Sequence, residues 1–262
     1  MGSRILEEIF AARRQRVSEA QSQVSLATLK ARAREAQPAR DFVKALADPG
    51  LALIAEVKKA SPSKGVLSTR FDPVALATAY AAGGAAAISV VTEPDFFQGE
   101  LEWLRTIRTS CPCPLLRKDF IFSPYQVWES RAAGADAILL ILAMLNDDDL
   151  KTLVAEAKTA GLACLLEVHD EAEAERAARL HPVLVGVNNR DLQTFDVRIE
   201  TSEKLVPLLP LGSLWVSESG IFTHEDCVRL AKRGFKAFLV GEALVTDSDP
   251  TARLRALRGA SA

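Results

Sequence analysis

The chain has 262 residues, enough for a large buried core and within the range of one α/β barrel. Apolar residues make up 48% and charged residues 25%, as in an ordinary soluble globular enzyme, and a net charge of −2 gives no reason to expect a nucleic-acid partner. No stretch approaches the roughly 20 apolar residues that span a bilayer, and the opening MGSRILEEIFAARRQRV has no apolar segment or cleavage site of a signal peptide, so a cytoplasmic address with no membrane partner is expected.

Residues 1–48 read as a polar, helical N-terminal extension. Ile5, Leu6, Ile9 and Phe10 form one apolar stripe, which has to pack on the rest of the chain because an isolated polar helix is unstable. Arg13, Arg14 and Arg16 read as a solvated helix face. Ser25 precedes a second helical run that stops near Pro38, and Asp48-Pro49-Gly50 reads as a turn.

From Leu51 the texture changes to short apolar runs, each followed by a helical stretch. The runs cover 51–58, 86–93, 114–120, 137–142, 163–169, 183–189, 213–219 and 237–244; the helices are expected at 73–82, 100–109, 124–133, 147–160, 171–180, 200–209, 224–233 and 250–258. Gly83, Gly134, Gly161 and Gly234 follow helical runs, as C-terminal capping glycines do. Eight such units predict a closed (β/α)8 TIM barrel over 49–262, forming one domain with the extension. The rival is an open doubly wound sheet, which usually carries G-x-G-x-x-G after its first strand; no such motif is present. Cys111, Cys113, Cys164 and Cys227 lack histidines at zinc-site spacing and read as incidental thiols, so no metal is expected.

Barrel active sites lie at the C-terminal ends of the strands, and here those ends are polar. Glu56 and Lys58 share a face of the first strand. Read alone, that pair is either a site or a buried ion pair closing the mouth. Lys118 ends the third strand in phase with Leu116 and Phe120. The fifth ends in Glu167-Val168-His169 and the sixth in Asn188-Asn189-Arg190, with Asn188 and Arg190 on one face. The seventh ends in Glu218-Ser219-Gly220 and the eighth in Gly241-Glu242. Six such ends together point to one converging site. A lysine serves as a general acid or holds an anion, and a glutamate between cations serves as base or acid. Gly220 and Gly241 lie where barrels commonly bind phosphate, although glycine also simply turns chains. The loop Ser61-Pro62-Ser63-Lys64-Gly65 either closes over a ligand or is an ordinary connection. His181 and His224 read as connection and helix-start residues, and His169 is placed near the mouth. The spacing supports no Ser-His-Asp arrangement.

At these residues the sequence resembles the indole-3-glycerol phosphate synthases. The motifs are IAEVKKASPSKG (54–65), VTEPDFFQG (91–99), LRKDF (116–120), LLEVH (165–169), GVNNRDL (186–192), SESGI (217–221) and FLVGEAL (238–244), in order along the chain. ILEEIFAARRQRV resembles the family's leading helix, which by that resemblance covers the barrel mouth. The resemblance implies a phosphorylated small-molecule substrate, 1-(2-carboxyphenylamino)-1-deoxyribulose 5-phosphate, and a reaction that closes the indole ring with release of carbon dioxide and water in tryptophan biosynthesis. No cofactor is implied. Carried over by position, Lys118 is the general acid on the ketone and Glu167 handles the later proton transfers. Lys58 engages substrate anions and is a candidate donor in the dehydration, and Glu56 orients this network. Asn188, Arg190 and Ser219 position substrate and side chains, with Glu218 beside them as a substrate contact. Ser61 belongs to the substrate-binding loop. Phe97 and Phe120 flank the anthranilate ring, and Gly220, Gly241 and Glu242 supply the phosphate site.

Ala243 is a departure, since the family often has serine there; a hydroxyl is lost if phosphate binding uses one. A phosphoribosylanthranilate isomerase is a weaker reading, because a cysteine and an aspartate are expected at its strand ends. A catalytically dead barrel is weaker still, because Glu56, Lys58, Lys118 and Glu167 are all intact. No fused second enzyme is expected beyond the eighth unit; a monomer is expected, with association with other tryptophan-pathway enzymes as a further possibility.

Overall fold

The computed structural model describes residues 2–47, 50–68, 70–192 and 194–260. Three helices come first: α1 (Gly2–Gln23), α2 (Leu26–Glu35) and α3 (Phe42–Ala47). Ser25 starts α2 by accepting the Thr28 N–H at 3.1 Å, the service an N-cap hydroxyl provides to an unpaired helix donor. Of the expected turn at Asp48-Pro49-Gly50, Asp48 and Pro49 lie outside the described residues; Gly50 has φ +112°.

Eight parallel strands then close a barrel. They are β1 (Ala52–Val57), β2 (Ala87–Val91), β3 (Leu115–Lys118), β4 (Ala137–Ile141), β5 (Ala163–Val168), β6 (Leu184–Asn188), β7 (Leu214–Glu218) and β8 (Ala237–Val240). Each pairs with the next, and β8 returns to β1 with Ala237 opposite Ala52. The expected (β/α)8 barrel is the fold observed. Crossover helices α4 (Pro73–Gly83), α5 (Glu102–Ser110), α6 (Pro124–Ala132), α7 (Asp147–Ala160), α8 (Glu171–Ala178), α9 (Glu200–Leu205) and α10 (His224–Ala231) alternate with the strands. A one-turn helix, α11 (Glu242–Val245), and α12 (Pro250–Leu257) end the chain. Asp72, Ser123, Asn146, Asp170 and Thr223 cap their helices through the side chain, which fixes where each loop ends.

Two local expectations are corrected. The left-handed residue ending α4 is Gly84 (φ +91°), whereas Gly83 is the last helical residue and packs closely on Leu254. The eighth apolar run is extended only to Val240; 242–245 coil into α11, because Gly241 O accepts the N–H groups of Leu244 and Val245.

Strand alternation sorts the core into two layers. Leu53, Ala55 and Val57 face the surrounding helices, whereas Ile54, Leu116, Leu139, Leu165, Leu184, Val216 and Leu239 fill the barrel interior. Phe42 and Leu46 of α3, each 1% exposed, join that interior cluster and plug the end opposite the strand C-termini. Two residues further along the same inward phase come Glu56, Lys118, Glu167 and Glu218. The apolar packing of the barrel is thus what aims these charges into the mouth.

Candidate active site

The mouth holds a cavity of about 460 Å3. Most of the sequence-predicted site lines it: Glu56, Lys58, Phe97, Lys118, Phe120, Glu167, Asn188, Arg190, Glu218, Ser219, Gly220, Gly241 and Glu242. Ser61 does not. It sits in a small hairpin, Ala60–Ser61 against Gly65–Val66, whose turn residues Pro62 and Lys64 reach the cavity instead. Lys64 forms an ion pair with Glu242, tying the loop after β1 to the start of α11. Ile5, Leu6 and Ile9 of α1 close one side, so the apolar stripe of the first helix packs on the mouth.

The charges form a linked cluster. Lys58 Nζ lies 2.7 Å from Glu56 Oε1. Lys118 Nζ donates to Glu167 Oε2 at 2.8 Å and lies 3.1 Å from Glu218 Oε2. Burial disfavours the Lys118 charge, but Glu167, Glu218 and Glu56 outweigh it and hold the ammonium well above the ordinary lysine range. Burial also pushes Glu167 up, yet Lys118 and His169 prevail and hold its carboxyl well below the usual range. Glu218 goes the other way. Burial and the neighbouring Glu167 charge push it to about 8, although Lys118 opposes them. Glu218 is thus the carboxyl of the cluster that burial drives towards the neutral acid.

Glycines make this density of carboxylates possible. A Cβ on Gly186 of β6 would collide with the Glu218 carboxylate, and one on Gly241 would collide with Glu56. Gly241, expected from the sequence to approach an anion, leaves room for an acid inside the barrel. The β7 end is wound tightly, with Ser219 (φ +66°) and Gly220 (φ +75°) both left-handed. Bonds to its neighbours offset the cost of that conformation at Ser219: its Oγ donates to Asn188 Oδ1 at 2.8 Å, and its carbonyl accepts from Asn189 Nδ2 at 3.0 Å. Asn188 also accepts the Arg190 N–H at 3.1 Å, so one side chain orders the ends of β6 and β7. The Phe97 and Phe120 rings stand 6.1 Å apart, tilted by 44°, as two walls of an aromatic slot.

Two contributors, Glu93 and Arg13, are not anticipated from the sequence, and a third, His169, is expected near the mouth but with no partner assigned. Glu93 is fully buried and accepts the N–H groups of Asp95, Phe96 and Phe97 at 2.9, 2.7 and 3.0 Å, which shapes the loop that presents Phe97. Burial holds its carboxyl above the usual range despite those bonds. His169 packs beside Glu167, with Nε2 3.2 Å from Glu167 Oε1 and Nδ1 3.0 Å from Glu173 Oε2. Arg13 is not on a solvated helix face: it is 6% exposed and donates to Asp119 Oδ2 at 3.0 Å, next in sequence to Lys118. The strand and helix periods contain each signal. Glu93 continues the inward phase of Ala87 and Val91, His169 that of Leu165 and Glu167, and Arg13 lies between Ile9 and Val17 on one buried stripe. Arg16 and Arg14 do stay at the surface side, on Asp95 and over the Phe10 ring respectively.

An indole-3-glycerol phosphate synthase family model matches residues 6–257. The chain belongs to that family. The indole-3-glycerol phosphate synthase of a Nocardioides species is 50% identical, over 97% of this chain and 98% of its own. That of a Roseiflexus species is also 50% identical, over 98% and 99%. A thiamine phosphate pyrophosphorylase structure from Pyrococcus furiosus shares the fold at TM-score 0.59 and 18% identity, covering 84% of this chain and 96% of its own. At that identity the likeness is one of fold alone. Among the described residues no helix is long and apolar enough to cross a membrane.

Proposed function

We propose that this chain is an indole-3-glycerol phosphate synthase acting on 1-(2-carboxyphenylamino)-1-deoxyribulose 5-phosphate. The observation that carries the reading is the cage of Glu56, Glu167 and Glu218 around Lys118, set below an aromatic slot, in a chain of that family. Ring closure forms a carbon–carbon bond at the ketone, whose oxygen gains a proton. Lys118 supplies it. Glu218, protonated at neutral pH and 3.1 Å away, replaces the proton that Lys118 gives up. Carbon dioxide then leaves from the ring carbon that bore the carboxylate, with the ring held between Phe97 and Phe120. In the dehydration Glu167 removes a carbon-bound proton as the hydroxyl departs, and Lys58 holds the substrate anions or donates to that hydroxyl.

Glu56 anchors Lys58, and Asn188 holds Ser219 and the Arg190 backbone. Ser61 acts through the hairpin that brings Pro62 and Lys64 to the cavity. The Ser219-Gly220 turn and the start of α11 at Gly241 and Glu242 receive the phosphate through backbone N–H groups. Because α1 of the same chain closes the cavity side, the site needs no group from a second copy, and we propose that the active unit is a monomer of one domain; a cytoplasmic location remains the expectation from the sequence. The test is to mix purified protein with the substrate and follow indole fluorescence. Its appearance with matching loss of substrate supports the reading; a folded protein that turns over none of it overturns the reading.

A further inference from the structure

We propose that His169, anchored by Glu173, is a positioning residue that keeps Glu167 an oriented carboxylate while Lys118 is discharged. The inference rests on the reading of Lys118 as acid and Glu167 as base.

In the resting cluster Glu167 faces two cations, Lys118 on Oε2 and His169 on Oε1. The first of them is lost when Lys118 protonates the ketone, and once Glu218 restores it the new Glu218 carboxylate, 3.1 Å away, takes up its charge. Glu167 is 2% exposed, and burial without a cation drives a carboxyl to its protonated form. A protonated Glu167 cannot take the later proton. His169 is the cation that remains.

The ring is built to stay charged. Both nitrogens meet carboxylates, which only accept, so both must carry hydrogen. Nε2 lies off the line of a good hydrogen bond to Glu167, so charge more than a directed bond joins them. Nδ1 and the His169 backbone N–H both address Glu173 Oε2, at 3.0 and 2.9 Å, which fixes the ring to the first turn of α8. Burial disfavours the charged ring, but the two glutamates raise it to about 10.

Other charges around His169 do not disturb this balance. Asp170 is occupied in capping α8. Lys118 and Glu218 lie beyond Glu167, on the barrel side. Behind the ring is a second, polar cleft, where Arg190, Arg198 and Lys204 stand with Asp191, Asp196 and Glu200. With Asp170 counted, three cations stand against four acids, so that side adds one net negative charge, which also favours a charged ring.

The test compares kcat against pH for the wild type and His169→Gln, with Glu167→Gln as control. The acid limb of kcat in His169→Gln is expected to move up by about one pH unit or more, with KM and thermal midpoint little changed and turnover recovering at higher pH. A limb that stays in place, or a loss equal at every pH, overturns the proposal. If Glu167→Gln turns over normally, the underlying assignment of the base fails instead. A second measurement needs no activity: 13C NMR of glutamate-labelled protein at neutral pH. Glu167 is expected to be ionised in Lys118→Met and protonated in Lys118→Met/His169→Gln. An ionised Glu167 in the double variant overturns the proposal.

Discussion

Lys118 is a poor acid in the empty site, because the Glu167 and Glu56 carboxylates hold its proton. On the proposed function, substrate changes that by placing a ketone oxygen against the ammonium, where the developing alkoxide would compete with Glu167 for the same proton. Lys118→Ala is expected to lower kcat by at least ~10²-fold with modest change in KM, read from steady-state kinetics; near-normal turnover sinks its role as acid. Glu218 gives a prediction of another kind. Its folded pKa of about 8 lies above the ordinary carboxyl range, so its contribution to stability is present at low pH and is lost as pH rises towards 8. Glu218→Gln mimics the neutral acid. Its stability relative to wild type should therefore rise between pH 5 and pH 8 and level off above, in urea unfolding at each pH. A constant difference across that range would show that Glu218 titrates normally.

At the scale of elements, α1 is joined to the catalytic strand by a buried network. Arg13 and Arg117 both bind Asp119 Oδ2 at 3.0 Å, and Thr92 donates to the same oxygen at 2.6 Å. Burial pushes Asp119 up, but the two guanidinium groups hold its carboxyl below the usual range. Arg13→Ala is expected to destabilise by about 3 kcal/mol, the low end for a broken buried pair, because Arg117 and Thr92 remain. Denaturant unfolding measures it, and a loss under about 1 kcal/mol would mean the contact is not maintained in solution. The eight β-α units are legible in the sequence because each strand is an apolar run of the right length and the helices begin at polar side chains that can cap them. Lys58, Lys118 and Glu167 are legible because strand parity aims them inward. Arg13 is not, as long as charge type outweighs helical phase. The Glu218–Gly186 fit is not legible at all: it depends on the register of β6 against β7, with Gly186 opposite Val216 and Asn188 opposite Glu218, and nothing local to either residue encodes that pairing.

At the scale of the whole molecule, the barrel keeps two kinds of recognition apart. The acid–base cluster lies over β1, β3, β5 and β7, all odd-numbered strands, whose inward residues share one layer. The proposed phosphate end lies at the β7 and β8 loops, on Ser219-Gly220 and Gly241-Glu242. That end carries the Glu242 carboxylate, which repels a dianion unless its charge is met. Lys64 meets it from the hairpin after β1. Anion binding should therefore depend on backbone donors for contact and on Lys64 for charge balance. Ala243 has no hydroxyl to add. Inorganic phosphate is expected to compete with substrate and to shift the backbone amide signals of Gly220 and Gly241 in a titration followed by 1H–15N NMR, and Lys64→Ala should weaken it several-fold without moving kcat at saturating substrate. Screening makes the Lys64 effect shrink as salt rises, whereas the amide contacts persist. A titration that leaves both glycine amides unmoved while phosphate still inhibits would place the anion elsewhere in the mouth, on Lys58 or Arg190, and would detach the β7 and β8 loops from substrate recognition.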